Sequence, residues 1–299
     1  MLDYPCLAAL AAVVREGSFE RAARALSVTS SAVSQRVKLL EDRLGSVLVV
    51  RGRPCVPTET GRLLCRHIEQ VAMLEQDLRS ALPKLAQGVP GGSSPAVRLA
   101  VNADSLGTWF VGAMAKFLAS EAVLLDIVLD DQENTLEWLR SGDVVAAVTV
   151  TARAIQGCNS VPLGRLRYVA AASPTFVRRY FAAGVNAVSV ASAPLINFNR
   201  KDRLQSQWVR RVCGREVDTP VHWLPSTPGS IEAAIAGIGW GMNPAVLVRP
   251  HLQAGTLVEL VPGRSLSVPL YWQYARLQAP ALSRLTRAIV AEARKSLPG

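Results

Sequence analysis

A polar tetrapeptide, Asn-Ala-Asp-Ser at residues 102–105, separates an apolar, strand-like run from a helix-like pattern. In α/β sheets, small ligands bind beyond the carboxyl end of a strand, where the following helix N-terminus presents free amides. Asn102, Asp104 and Ser105 are therefore candidate ligand-binding residues. Their residue types and position favour reversible binding of a small molecule.

No catalytic or metal-binding pattern accompanies this cluster. The sequence lacks G-x-S-x-G, a P-loop and H-E-x-x-H, and the glycine-rich run at 237–241 has neither the spacing nor the context of a dinucleotide-binding turn. The five cysteines form no C-x-x-C pair and the three histidines are dispersed. We predict a protein that is not an enzyme and needs no cofactor or metal.

A second polar set lies in the segment 30–44, where one helical face is apolar and the other carries hydroxyl, amide and cationic groups. A helix that enters the major groove needs short polar side chains that reach base edges and cations that meet phosphates. A solvated helix face is the alternative, and this pattern alone does not separate the two. The apolar face contains Val33, Val37, Leu40 and Leu44, and the polar face contains Ser30, Ser31, Ser34, Gln35 and Lys38.

The elements around this segment predict a winged helix-turn-helix. Ser18 and Thr29 are placed to cap the second and third helices, and Gly17 ends the first. Two short apolar runs at 47–50 and 56–58 flank a basic turn, which predicts a two-stranded wing. The tip of that wing carries Arg51 and Arg53, which suit phosphate or minor-groove contact.

Residues 59–86 predict a long helix. Leu64, Val71, Leu78 and Leu85 recur every seven residues, so the helix is expected to pair with that of a second copy, although Pro83 should end or kink it. Packing on its own domain is the alternative. Residues 87–95, which are rich in Gly, Pro and Ser, predict an interdomain linker.

Beyond the linker, residues 96–299 alternate strand-like and helix-like runs, which predicts parallel sheets with helices on both faces. The number of strands favours two smaller sheets over one large sheet. No stretch has the ~18–20 continuous apolar residues of a membrane span, and no basic segment leads into an apolar signal-like core. We therefore expect a cytoplasmic protein with no membrane partner.

The chain has a net charge of +10, which suggests a polyanionic partner. Residues 1–86 contribute only +3 and residues 87–299 contribute +7, so charge alone does not locate a DNA-binding part. Residues 36–66 carry a local excess of +4. Residues 165–216 hold ten basic and two acidic side chains, which suits a contact with bent DNA or RNA polymerase, although a solvated basic face explains it more simply.

The N-terminal sixty residues resemble the LysR-type transcriptional regulators. The resemblance implies binding to double-stranded operator DNA as a homodimer or homotetramer, with Ser30, Ser31, Ser34 and Gln35 near bases and Arg53 at the minor groove. Ser30 and Ser31 stand where many members have Pro, Gln or Arg, so the DNA sequence that they read stays open. The motifs are GSFERAA at 17–23, SAVSQRV at 31–37, LLE at 39–41, LG at 44–45 and PTETG at 57–61.

The remaining chain is similar to the ArgP/LysG-like branch of that family, which includes regulators first described as inhibitors of chromosome initiation. The similarity implies sensing of lysine or arginine and control of an amino-acid exporter gene. The supporting segments are LAVNADS at 99–105, TW at 108–109, GDVVAAVT at 142–149, PLG at 162–164, RY at 167–168, GIGWGM at 237–242 and LYW at 270–272.

The resemblance implies four segments and a fold: an all-α winged helix-turn-helix domain at 1–58, a dimerisation helix at 59–86, a linker at 87–95, and an α/β, two-lobed effector domain at 96–299 that resembles periplasmic binding proteins. Within the effector domain, lobe I covers about 96–166 and 268–299, and lobe II covers about 167–267.

A basic amino acid carries cations that need carboxylates once desolvated, and a carboxylate that needs amides or hydroxyls. Residues 98–163 hold eight acidic side chains against four basic ones. Asp104 is the first candidate for an ammonium partner, followed by Asp131 and Asp202. The candidates for the effector carboxylate are Ser105, Thr149 and Thr227, and Asn102 of the same polar cluster is a further effector-binding candidate.

Two alternatives stay open. A LysR-type regulator that senses a different small molecule, such as an aromatic acid or another amino acid, would have the same architecture. A periplasmic-type solute-binding protein would share the sensor fold, but it would need an export signal and would lack residues 1–60.

Overall fold

A computed structural model describes residues 3–81, 96–129, 135–277 and 279–297. The N-terminal part is a winged helix-turn-helix followed by a long helix. Asp3, Ser18 and Thr29 cap its first three helices through their side-chain oxygens. The elements are α1 (Tyr4–Glu16), α2 (Phe19–Ala25), α3 (Ser30–Leu44), β1 (Val49–Val50), β2 (Val56–Pro57) and α4 (Glu59–Ala81).

Helix α3 is held in place by its apolar face. Val33, Val37 and Leu40 are buried against α1 and α2, as the helical spacing predicts. Leu44 is an exception, because 45% of it is exposed. It is the last residue of α3, directly before the left-handed Gly45, where the chain turns away from the core.

The first turns of α4 pack on the N-terminal domain. Leu64 and Ile68 are half-buried and contact its core, because the helix starts directly after β2 and covers the core before it extends further. The pairing of this helix with that of a second copy stays a prediction. The predicted seam residue Leu85, the helix-ending Pro83 and the linker at 87–95 lie outside the described residues.

The effector domain begins with strand β3 and ends with a long helix. Its elements are β3 (Ala96–Val101), α5 (Ala103–Ser105), a π-helical turn (Leu106–Phe110), α6 (Val111–Leu118), β4 (Leu124–Leu129), α7 (Thr135–Ser141), β5 (Ala146–Thr149), β6 (Cys158–Ala172), α8 (Pro174–Tyr180), α9 (Ala187–Ser192), β7 (Leu195–Asn197), α10 (Leu204–Cys213), β8 (Val221–Trp223), α11 (Thr227–Ile235), β9 (Gly241–Pro244), α12 (Ala245–Gln253), β10 (Val258–Glu259), β11 (Leu266–Ala275) and α13 (Pro280–Ser296).

One curled, seven-stranded sheet runs through both lobes, in the order β10-β6-β11-β5-β3-β4, with β9 also paired to β6. Only β3–β4 and β3–β5 are parallel in it, and β6 and β11 form a long antiparallel ladder. The expectation of two separate parallel sheets was wrong. Pro162 and Gly164 interrupt the apolar pattern of β6, so the sequence pattern does not indicate a strand over its first ten residues. A small parallel pair, β7–β8, completes lobe II.

Aromatic side chains fill both lobes. Phe110 and Trp272 pack together in lobe I, with their ring centroids 6.2 Å apart, and Trp208 and Trp240 lie 5.2 Å apart in lobe II. All four side chains are buried in one continuous core. Within the described ranges, no helix combines the length and the apolarity needed to cross a lipid bilayer.

We predict that Gly61→Ala destabilises the N-terminal domain. A methyl group at Gly61 would collide with the backbone carbonyl oxygen of Leu48, which already accepts a hydrogen bond from the Thr58 amide. Overpacking of this kind costs about 1–3 kcal/mol. Thermal unfolding of the purified chain should show a lower midpoint. Gly107→Ala is the matched control, since a methyl group there meets nothing within 4 Å. Equal midpoints for the two variants would contradict the prediction.

Candidate effector site and DNA-binding surface

A cavity of about 400 Å³ lies between the two lobes. Lobe I contributes the turn after β3, and lobe II contributes the loop before α10, the first turn of α11, and β9. Four of the candidate effector-binding residues line this cavity, namely Asn102, Asp104, Asp202 and Thr227. The fold therefore brings together residues that are up to 125 positions apart in the sequence.

Both carboxylate oxygens of Asp104 accept hydrogen bonds inside the cavity. Its Oδ1 accepts a hydrogen bond from the Thr227 hydroxyl at 2.6 Å, and its Oδ2 accepts one from the Tyr168 hydroxyl at 2.7 Å. Burial raises the pKa of the Asp104 carboxyl above its ordinary value, and the two hydroxyl donors offset part of that increase. Among the described residues, no lysine or arginine forms an ion pair with it.

Asp202 faces the same cavity and also shapes the loop that carries it. Its Oδ1 accepts a hydrogen bond from the Leu204 amide at 3.0 Å, at the start of α10, and its backbone oxygen lies 3.4 Å from the Asn197 side-chain amide. Burial is the main cause that raises the pKa of the Asp202 carboxyl, and the charge of Asp104 adds to it. The two carboxylates therefore influence each other electrostatically.

Two further candidates, Ser105 and Thr149, lie elsewhere. Ser105 is buried but does not line the cavity. Thr149 also lies outside the lining, and its hydroxyl interacts with the Thr151 carbonyl and the Gln273 side chain, so it holds the strand β5 against β11. Asp131 lies outside the described residues. Asn102 lines the cavity while its Oδ1 caps α5 by accepting from the Ser105 amide at 2.8 Å.

Several residues of the site were not predicted from the sequence. Tyr168 lies on β6, where Leu166, Tyr168 and Ala170 alternate toward the core, so a polar aromatic residue in that alternation was the available signal. Gln205 lines the cavity with a buried Oε1 that has no hydrogen-bond partner. Ser230 and Asn243 also line it, and Ile196, Phe198 and Met242 form apolar walls.

Trp109 and Trp240 are core residues. Trp240 is fully buried against Trp208, and Trp109 packs edge-on against Phe110. Neither lines the cavity.

The polar face of α3 points away from the core. Ser31, Gln35 and Lys38 are exposed, and Ser30 and Ser34 are half-buried beside them. The Ser31 hydroxyl shares a hydrogen bond of 3.0 Å with the cap residue Thr29. This arrangement leaves an amide, hydroxyls and a cation on one accessible helix face.

The hairpin β1–β2 places the two wing arginines beside α2. Val49 pairs with Pro57 and Val50 pairs with Val56, so the basic turn projects from a two-residue ladder. Arg51 and Arg53 are both exposed, and the Arg51 guanidinium lies 5.0 Å from the centre of the Phe19 ring.

Two family models match the chain. Residues 6–62 match the bacterial regulatory helix-turn-helix protein of the lysR family, and residues 90–296 match the LysR substrate binding domain. The chain belongs to the LysR family. Together the two matches cover both the winged helix-turn-helix and the domain that holds the cavity of this LysR-family regulator.

Individual relatives of this LysR-family chain are similar over nearly its full length. The HTH-type transcriptional regulator ArgP of Pseudomonas aeruginosa is 44% identical over 293 residues, which cover 98% of this chain and 96% of that protein. The crystal structure of ArgP from Mycobacterium tuberculosis has a TM-score of 0.80 at 42% identity, and full-length LysG from Corynebacterium glutamicum with bound effector Arg has a TM-score of 0.71 at 36% identity. Each of these two alignments covers 100% of this chain and 100% of the chain of the matched structure.

These relatives are transcriptional regulators, so this LysR-family chain is a regulator related to ArgP and LysG rather than an enzyme. The expected architecture, a winged helix-turn-helix followed by an α/β effector domain, is confirmed.

We predict that Asp104→Asn stabilises the ligand-free regulator at neutral and alkaline pH. Burial raises the folded-state pKa of Asp104, so the folded state binds the proton more tightly than the unfolded state does, and the wild-type chain loses stability as the pH rises above the ordinary pKa of an aspartic acid until the Asp104 carboxyl is ionised. Asparagine removes that titration. Thermal unfolding should show a higher midpoint than wild type at pH 8 and a smaller difference at pH 5.

The control for this prediction is Asp126→Asn, which removes an exposed carboxylate from lobe I. It should not reproduce the gain, because a solvated carboxylate loses little hydration on folding. A lower midpoint for Asp104→Asn than for wild type at pH 8 would count against a desolvation penalty at Asp104.

Proposed function

We propose that this LysR-type regulator binds arginine or lysine between its lobes, binds operator DNA through α3 and the wing, and controls an amino-acid exporter gene. The observation that carries the effector assignment is the half-buried Asp104 carboxylate, which lines a cavity and has only hydroxyl donors as described partners. A buried carboxylate is stabilised most by a cation. A ligand ammonium or guanidinium group would supply the missing charge.

The cavity has complementary groups for both ends of a basic amino acid. Asp104 and Asp202 match the two cationic groups of arginine or lysine. The effector carboxylate has candidate donors in Asn102, in Ser230 on the first turns of α11, and in the exposed Arg203 on the cavity rim. The LysG relative with bound Arg supports the same effector class.

A different small molecule is the second candidate. Lys201 and Arg203 also line the cavity, so an acidic ligand would find cations there. The two candidates predict different roles for Asp104. Its carboxylate would attract a basic ligand, whereas it would not increase the affinity for an acidic one.

The DNA-binding proposal rests on exposed polar groups. Gln35 and Lys38 project from α3, and Arg53 projects from the wing, so base and phosphate contacts can form on one side of the domain. Ser30, Ser31, Ser34 and Arg51 complete the proposed surface.

The assembly and the target gene come from the family resemblance. A homodimer or homotetramer would present two such surfaces to two half-sites, which a single short helix needs for specificity. The basic residues at 165–216 would allow a contact with RNA polymerase.

We predict that L-arginine or L-lysine raises the unfolding midpoint of the full-length chain. A ligand at a hundred times its dissociation constant stabilises the folded state by about 2.7 kcal/mol. L-Citrulline has nearly the shape of arginine but an uncharged side chain, so it should give a much smaller shift. Equal shifts for arginine and citrulline would show that side-chain charge is not recognised, and no shift with either basic amino acid would favour the second candidate.

We predict that Gln35→Glu and Arg53→Glu weaken binding to the intergenic DNA next to the regulator's own gene. Loss of a base or phosphate contact costs about 1–3 kcal/mol, and loss of the Arg53 contact should lower the salt slope by about one. Gel retardation at several salt concentrations measures both quantities. Arg287→Glu, an exposed change of the same charge on α13, is the control and should bind DNA like wild type. Unchanged retention by both variants would contradict the proposed surface.

A further inference from the structure

Both oxygens of the Asp104 carboxylate are bound from outside lobe I. Asp104 lies in the short helix α5 of lobe I, whereas Thr227 begins α11 of lobe II and Tyr168 lies on β6, where the long strand enters lobe II. The two hydrogen bonds, of 2.6 and 2.7 Å, are short and involve neutral hydroxyl donors. The charge of a lobe I residue is therefore stabilised by groups that lobe II supplies.

We propose that Thr227 and Tyr168 are positioning residues for the effector, which hold Asp104 as an oriented anion so that it can accept a cation in a closed cavity. This inference rests on the proposed function and adds to it. It also changes the role expected for Thr227, because a hydroxyl that donates its proton to Asp104 cannot donate the same proton to the carboxylate of the effector.

The physical reason is the cost of burial. Asp104 is withdrawn from water, and burial favours its neutral form. A neutral carboxylic acid attracts an ammonium or guanidinium group far less than a carboxylate does. Hydrogen bonds from hydroxyl groups stabilise the ionised form, because they are stronger to an anion than to a neutral acid. Removing one of them should shift Asp104 toward the protonated form and weaken cation binding.

Four charged or titratable side chains of the described residues share this region. Tyr168 stays protonated, because burial and the Asp104 charge raise the pKa of its phenol well above the ordinary value. Like burial, Asp202 favours the neutral form of Asp104, because two neighbouring negative charges repel each other. Lys201 and Arg203 line the cavity and are exposed to solvent, which screens their charges. The two hydroxyl groups are thus the direct partners that favour ionised Asp104.

The inference predicts a specific pH dependence. If Asp104 is partly protonated in a variant, cation binding must displace that proton, so the dissociation constant improves by up to about tenfold for each unit rise in pH until Asp104 is ionised. A variant that only distorts the cavity would bind more weakly by the same factor at every pH. The change of the dissociation constant with pH therefore distinguishes a role in positioning the Asp104 charge from a role in packing.

The test is isothermal titration of full-length wild type, Thr227→Val, Thr227→Ser and Tyr168→Phe with L-arginine and L-lysine at pH 6, 7, 8 and 9. Valine keeps the shape of threonine without the hydroxyl, serine keeps the hydroxyl, and phenylalanine removes only the phenol oxygen. Thr227→Val and Tyr168→Phe should bind about tenfold more weakly than wild type at pH 6 and approach wild type at pH 9. Thr227→Ser should restore the wild-type pH profile.

Repeating the titrations in buffers of different ionisation enthalpy gives the number of protons released. Thr227→Val and Tyr168→Phe should release more protons per bound arginine at pH 6 than wild type. Thermal unfolding without ligand establishes that each variant is folded, and if Thr227→Val does not fold, Tyr168→Phe gives the same test.

The outcomes are distinguishable. Wild type that binds arginine or lysine, with variants that bind equally well or weaken by a constant factor at every pH, would overturn this inference and leave the proposed effector class intact. Wild type that binds neither amino acid would overturn both. Variants with a steeper pH dependence, restored by serine at 227, would support the inference.

Discussion

A carboxylate that is withdrawn from water is the constraint around which the sensing domain is organised. Asp104 follows strand β3, next to the edge strand of the sheet, and its two oxygens accept hydrogen bonds from hydroxyls on β6 and α11. Those contacts compensate only part of the desolvation, so the ligand-free protein retains a charge that is costly to bury. The buried charge therefore lowers the free energy of unfolding of the ligand-free protein. A cationic effector would raise it again on binding.

The N-terminal domain could be predicted nearly in full from its sequence, because its signals are local. Helix caps at Ser18 and Thr29, the left-handed Gly17 and Gly45, and the spacing of Val33, Val37 and Leu40 each act within a few residues. Asp104 and Thr227 were also identified as candidates, and both line the cavity. Both lie at the beginning of a helix, which is a position that local patterns mark well.

The remaining parts depend on distant pairing that no local pattern encodes. The first ten residues of β6 contain Pro162 and Gly164, and they are extended because they pair with β11 about a hundred residues later. Tyr168 reaches Asp104 because β6 passes beside α5, and Thr149 lies outside the cavity lining, where its hydroxyl meets the Gln273 side chain of β11. Asp202 combines a structural hydrogen bond to Leu204 with a place in the cavity wall, and its residue type alone does not reveal both roles.

The antiparallel ladder of β6 and β11 has a mechanical consequence for signalling. The two strands pass together from one lobe to the other, and their register shifts between Leu270 and Tyr271, close to the left-handed Gly164. A two-stranded ribbon resists extension along its length, because the covalent backbone carries the load, but it yields readily to torsion, especially at a bulge. Rotation of one lobe against the other would twist this ribbon, so an effector that bridges the lobes would act on the ribbon as a torque.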